Sequence, residues 1–160
     1  MNTLPQDDLD LREGVATLAL MNEYSPVVQA IAQNIYNNGF DTESRDLILR
    51  QHDIVDVVYI KERALNFIID YIKMVLNDYI VSEKERENVT LLKYYFKIKE
   101  GDFYKYKYRE ITEILYWQFE KIYEDKIVTK EEAVHKVEVQ GLFSLSLDQF
   151  LEIKKKLKFE

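Results

Sequence analysis

Two stretches of this chain repeat one another: DYIVSEKE at 78–85 and DKIVTKEE at 125–132, 47 residues apart. In the first, Ser82 is followed three residues later by Glu85; in the second, Thr129 by Glu132. This spacing is the capping box, in which a hydroxyl accepts a first-turn backbone N–H while the carboxylate reaches back to the N-cap N–H. Val81 and Val128 occupy the staple positions before them. Each motif therefore starts a helix, and the same shift lays Ile72 on Phe119, Val75 on Ile122, Phe96 on Phe143, Ile98 on Leu145 and Phe103 on Phe150. Apolar falls on apolar, which predicts two copies of a helix–turn–helix unit over 65–107 and 112–154.

Helical spacing carries the rest. Ala64, Phe67, Ile68, Tyr71, Ile72, Val75 and Leu76 recur at three and four and predict a buried stripe ending near Asn77 and Asp78. Ser25 followed by Pro26 marks a helix start, Val27, Ile31 and Ile35 share a face, and Gly39 marks the stop. Leu9 to Met21 predicts a helix weakened by Gly14, and Asp41 is placed to cap Thr42 to about Gln51. The β-branched run DIVDVVYI at 53–60 has no second strong strand to pair with, so helix is expected there also. With only 4 Gly and 2 Pro, long loops are not expected. The predicted fold is all-α: one helical bundle over 1–160 of about seven or eight helices, with N-terminal helices in 1–58 and an internal pseudo-twofold repeat. At 160 residues such a domain can bury roughly 70% of its unfolded surface.

Between two helices, an Asp, then Ile or Val before Ser or Thr, then Glu three positions on, resembles the helix junctions of TerB-like tellurite-resistance domains. The resemblance covers about residues 65–157. It rests on Asp78, Val81, Ser82 and Glu85, on Asp125, Val128, Thr129 and Glu132, and on the apolar turn GLFSLSLDQF at 141–150. It implies an all-helical bacterial domain, often an accessory in stress or defence systems, without an agreed enzymatic activity. The family usually has Gly after the Asp; this chain has Tyr79 and Lys126.

Composition excludes much chemistry. With no cysteine, disulfides, thiolate nucleophiles, zinc–thiolate sites and iron–sulfur clusters are ruled out. The 2 histidines, His52 and His135, are too few for a di-iron or metal-phosphohydrolase site despite the Glu132/His135 and His52/Asp53 spacings; both are expected as ordinary polar residues, with His135 at a helix surface or boundary. The Asp78 and Asp125 turns carry apolar residues where a calcium loop needs oxygens, so no metal is expected. No phosphate loop, nucleophile elbow or kinase set is present, and no cofactor or catalytic residue is expected. The acidic start MNTLPQDDLDLRE is not that of a signal peptide and no apolar run could span a membrane, so a cytoplasmic protein is expected. Lys154 to Lys156 and Lys158 are expected to complement a helix C-terminus in solvent.

The remaining surface candidate is KIKEGDFYKYKYRE at 97–110. Tyrosine buries area at low entropic cost and keeps a polar tip, which favours it at protein interfaces. Tyr94, Tyr95, Tyr104, Lys105, Tyr106, Lys107 and Tyr108 are therefore the expected partner-binding residues. Alternating aromatics and cations could also stack on single-stranded nucleic acid, but a net charge of −7 opposes polyanions and suits a basic protein. The expectation is a non-enzymatic protein-binding or accessory module. An immunity-type inhibitor of a basic toxin or nuclease, and a metal- or nucleic-acid-binding protein, are the alternatives.

Overall fold

The structure, a computed structural model, describes residues 6–125 and 127–159, with backbone alone for 6–10. Among these residues the fold is all-helical: α1 (Gln6–Met21), α2 (Pro26–Asn38), α3 (Thr42–Gln51), a 3₁₀ turn (Val57–Ile60), α4 (Lys61–Leu76), α5 (Glu83–Tyr95), α6 (Asp102–Tyr106), α7 (Tyr108–Ile122), α8 (Lys130–Leu142) and α9 (Leu147–Lys156). No described helix is long and apolar enough to cross a membrane. Two compact units form, one from Met1–Tyr71 with Glu87–Ile98, the other from Ile72–Arg86 with Lys99–Glu160.

In the first unit the local signals act where the sequence puts them. Pro26 starts α2, and Gly39 ends it at φ 75°, its N–H donating to the Ile35 carbonyl. Asp41 caps α3 by accepting the Ser44 N–H at 3.0 Å. The predicted stripe of α4 is buried throughout, from Ala64 to Tyr71 in this unit and from Ile72 to Leu76 in the second. Gly14 has a packing reason: a Cβ there would lie 3.3 Å from the Tyr71 ring. The 53–60 segment departs from the helix expectation. Asp53 takes the left-handed conformation at φ 59° and closes α3, with its N–H on the Arg50 carbonyl and the Ile54 N–H on that of Leu49. Asp56 then accepts the Val58 N–H at 3.0 Å and caps the 3₁₀ turn that leads into α4. A left-handed Asp53 and an Asp56 whose carboxylate accepts a local backbone N–H interrupt what would otherwise be one helix.

A buried arginine sits within this unit. Arg45 donates to the Tyr95 carbonyl at 2.6 Å, pairs with Asp46 at 3.0 Å and lies 5.2 Å from the Tyr95 ring centre. Tyr95 in turn makes edge contacts with Phe40 and Phe96.

In the second unit Phe119 is the hub: its ring lies 5.4 Å from Phe150 and 5.6 Å from Phe159, and Phe103 meets Phe143 edge-on at 5.7 Å. Along the chain, elements recur at the 47-residue shift. α4 and α7 start at Lys61 and Tyr108, and α5 and α8 run Glu83–Tyr95 and Lys130–Leu142. Lys97 and Ser144 both turn the chain left-handed, at φ 56° and 51°. Even a buried polar bridge recurs: Asn88 donates to the Tyr71 hydroxyl at 3.3 Å, and His135 bonds Gln118 at 2.7 Å, each partner 47 residues from its counterpart.

Candidate functional site

The site begins at the turn after α4. Asp78 Oδ1 accepts the Ile80 N–H at 3.0 Å, closing a small side-chain-to-backbone ring. Tyr79 is thereby held left-handed at φ 58°, with its own N–H on the Leu76 carbonyl at 3.1 Å. Ser82 and Glu85 then complete the capping box at 3.0 and 2.9 Å. In the second copy Asp125 accepts the Ile127 N–H at 3.0 Å, and Thr129 and Glu132 close their box at 3.1 and 3.0 Å. Lys126, the counterpart of Tyr79, lies outside the described residues. In both turns the Asp and Glu oxygens accept backbone N–H groups, which is the geometry of a helix junction. Among the described residues, no three His, Asp or Glu side chains are grouped to hold a metal ion.

Tyr79 has consequences for shape. A hollow of about 650 Å³ is lined by Tyr79, Ile80, Val81, Ile122, Val134 and His135, with Lys121, Lys130, Glu131, Glu132 and Glu138 around them. Its volume falls in the range of sites that hold a small molecule or a few partner side chains. Ile80 is 68% exposed, and Ile127, Val128, Val134 and Val137 are exposed as well. Tyr79 also lines a second hollow of about 340 Å³ with Leu76, Glu110, Glu113, Trp117 and Gln118. Trp117 is 56% exposed and meets Tyr116 edge-on at 5.4 Å. The Lys121 ammonium lies 5.8 Å from the Tyr79 ring centre and 3.2 Å from Glu124.

His135, expected at a helix surface or boundary, is buried instead: only 7% is exposed. Its Nε2 meets Gln118 Oε1, and since an amide oxygen can only accept, Nε2 carries the proton. Nδ1 is then a buried lone pair with no partner among the described residues. Burial holds the imidazole pKa below its ordinary value, opposed by the nearby carboxylates of Glu138 and Asp78.

The tyrosines expected to form a recognition surface divide. Tyr94 is 78% exposed and belongs to the first unit. Tyr95 is a correction: at 1% exposure it is core, holding Arg45 through its carbonyl and ring. The alternating segment is helical, with Tyr104 to Tyr106 closing α6, Lys107 at the junction and Tyr108 opening α7. Alternation separates two faces of a strand but not of a helix, where positions four apart come together. Tyr104 and Tyr108 accordingly meet edge-on at 5.2 Å, and both hydroxyls donate to Glu152, at 2.5 and 3.3 Å. That bond is the main reason the Tyr104 pKa is pushed up to about 12. Tyr106 stays exposed with the Lys105 ammonium 5.1 Å from its ring, and Lys107 is half-buried.

The hollows around Tyr79 were not anticipated from the sequence. The signal available was an aromatic at a position where the resembled family prefers glycine. Compared with known proteins, the chain matches no family model, no curated protein and no solved structure at a significant level.

Proposed function

We propose that this chain is a non-catalytic accessory module that holds a partner protein segment against the apolar face around Tyr79. The observation that carries this reading is the exposure of Ile80 and Val134 at the rim of the 650 Å³ hollow, where an apolar side chain from a partner would find both volume and contact. Glu131, Glu132 and Glu138 outnumber Lys121 and Lys130 at one hollow, and Glu110 and Glu113 outnumber Lys73 at the other, which on a chain of net charge −7 suits a segment with basic flanks. A TerB-like role in a stress or defence system is the biological form of this proposal. It is supported by the junction itself: a side-chain-closed Asp turn, a left-handed residue after the Asp where glycine fits without strain, then a capping box.

The test is capture from native lysate with tagged wild type and with Ile80→Asp/Val134→Asp, at low salt and at about 0.5 M salt, where exposed charges are largely screened. The expected result is one partner retained by the wild type, reduced at high salt and lost with the double variant. An identical retained set from both proteins would refute the assignment of this face.

A further inference from the structure

At the end of the second unit, several lysines gather around Tyr123. Lys136 of α8 donates from Nζ to the Tyr123 hydroxyl at 3.0 Å, and the Lys154 ammonium of α9 lies 5.5 Å from the same ring centre. Beyond α9, Lys158 turns left-handed at φ 66° and sends the Phe159 N–H back to the Lys154 carbonyl. Phe159 thereby stacks on Tyr123, 5.6 Å between centres at 19°. Lys154 and Phe159 also line a hollow of about 350 Å³ with Leu151, Lys155 and Lys158. Among the described residues, Lys136, Lys154, Lys155 and Lys158 have no ion-pair partner. Complementing the α9 dipole accounts for the lysines of α9 but not for Lys136, which arrives from another helix.

We propose that the lysine cluster at Tyr123, together with the hollow beside it, binds the phosphate-monoester group of a small ligand. A phosphomonoester carries nearly two negative charges and three acceptor oxygens, enough to engage several separate ammonium groups at once. Lysine serves phosphate as a point charge, whereas a carboxylate is matched best by the arginine fork, and no arginine lines this hollow. The Tyr123 oxygen accepts from both Lys136 and Lys154, which leaves its O–H as a free donor beside the cations. Burial pushes the Tyr123 phenol up, but Lys136 and Lys154 together hold its pKa below the ordinary value. Leu151 and Phe159 give an apolar wall for the body of the ligand. A volume of about 350 Å³ suits a small molecule, and a net charge of −7 disfavours a polyanion. The site is independent of the face around Tyr79.

Calorimetric titration of the full chain at about 20 mM salt, where charge pairing is weakly screened, compares adenosine monophosphate, inorganic phosphate, adenosine and a single-stranded oligonucleotide. The expected result is binding of the monophosphate and of phosphate but not of adenosine, weakened about tenfold by Lys136→Met/Lys154→Met and unchanged by Lys99→Met. Lys155→Met/Lys158→Met alters only exposed side chains, so its expected loss of about threefold does not depend on refolding of a core. Saturating phosphate should also raise the ionisation midpoint of Tyr123, read as the absorbance difference between wild type and Tyr123→Phe, because the bound anion cancels the cations that hold it down. Adenosine binding as well as its monophosphate, affinity unchanged in both lysine variants, or binding confined to the oligonucleotide would each overturn the proposal, as would the absence of any binding by phosphate or the monophosphate up to about 10 mM.

Discussion

Single side chains here do work that their types alone do not announce. His135 is neutral in the fold because its second ring nitrogen has nothing to bond when protonated. Its pKa is depressed, so the folded state loses relative to the unfolded one when the unfolded imidazole takes up a proton. The contribution is complete above about pH 6.5 and is lost as pH falls through the folded-state value. We expect the melting temperature to drop over this window in wild type, and the His-dependent part of the drop to vanish in His135→Asn, which places the residue of the first copy, Asn88, at its 47-residue counterpart. Thermal melts at half-unit pH steps measure it; parallel curves for the two proteins would contradict the assignment. Tyr79 is held at φ 58°, where any side chain costs about 1 kcal/mol relative to glycine. Tyr79→Gly should therefore be about 1 kcal/mol more stable than Tyr79→Ala in urea unfolding, while both remove the ring shared by the two hollows. Arg45→Met should cost about 2 kcal/mol by stranding the Tyr95 carbonyl, whereas Asp46→Asn, half in solvent, should cost under about 0.5 kcal/mol in the same assay.

At the level of helices, what the sequence made legible was local. Asp41, Pro26, Gly39 and the two capping boxes act within four residues of themselves, and such short-range chemistry is written directly in the order of residues. The α4 stripe was readable for the same reason, since one period serves its whole length. A third box, Ser146 with Gln149, carried the same signal and closes at 3.1 and 3.0 Å. Thr129→Ala is expected to destabilise by about 1 kcal/mol, with slower-protected amides in the first turn of α8 exchanging faster by hydrogen exchange; unchanged exchange there would mean that the box contributes nothing. What could not be read was long-range. Nothing in Tyr71 and Asn88, or in Gln118 and His135, says that they are equivalent bridges, because different chemistries fill the same geometric role. In the tyrosine run, the alternation visible in the sequence is not the spacing that decides contacts, because in the helical fold positions four apart meet and Tyr104 and Tyr108 reach one carboxylate.

Across the whole chain, an overall charge of −7 coexists with a local group of lysines at one end of the second unit and an apolar face with a mixed, net acidic rim elsewhere in it. Net charge therefore speaks for the average surface and not for each site on it, so salt should weaken capture of a basic partner and phosphate binding alike without linking the two. The units themselves are interleaved along the chain: the first closes only with Glu87–Ile98, which follows residues that belong to the second. Tyr95 and Phe96, the carbonyl for Arg45 and the ring beside Phe67, both come from that late segment. A ribosome must thus deliver nearly a hundred residues before the first core can be finished, and no single cleavage of the backbone yields either half intact.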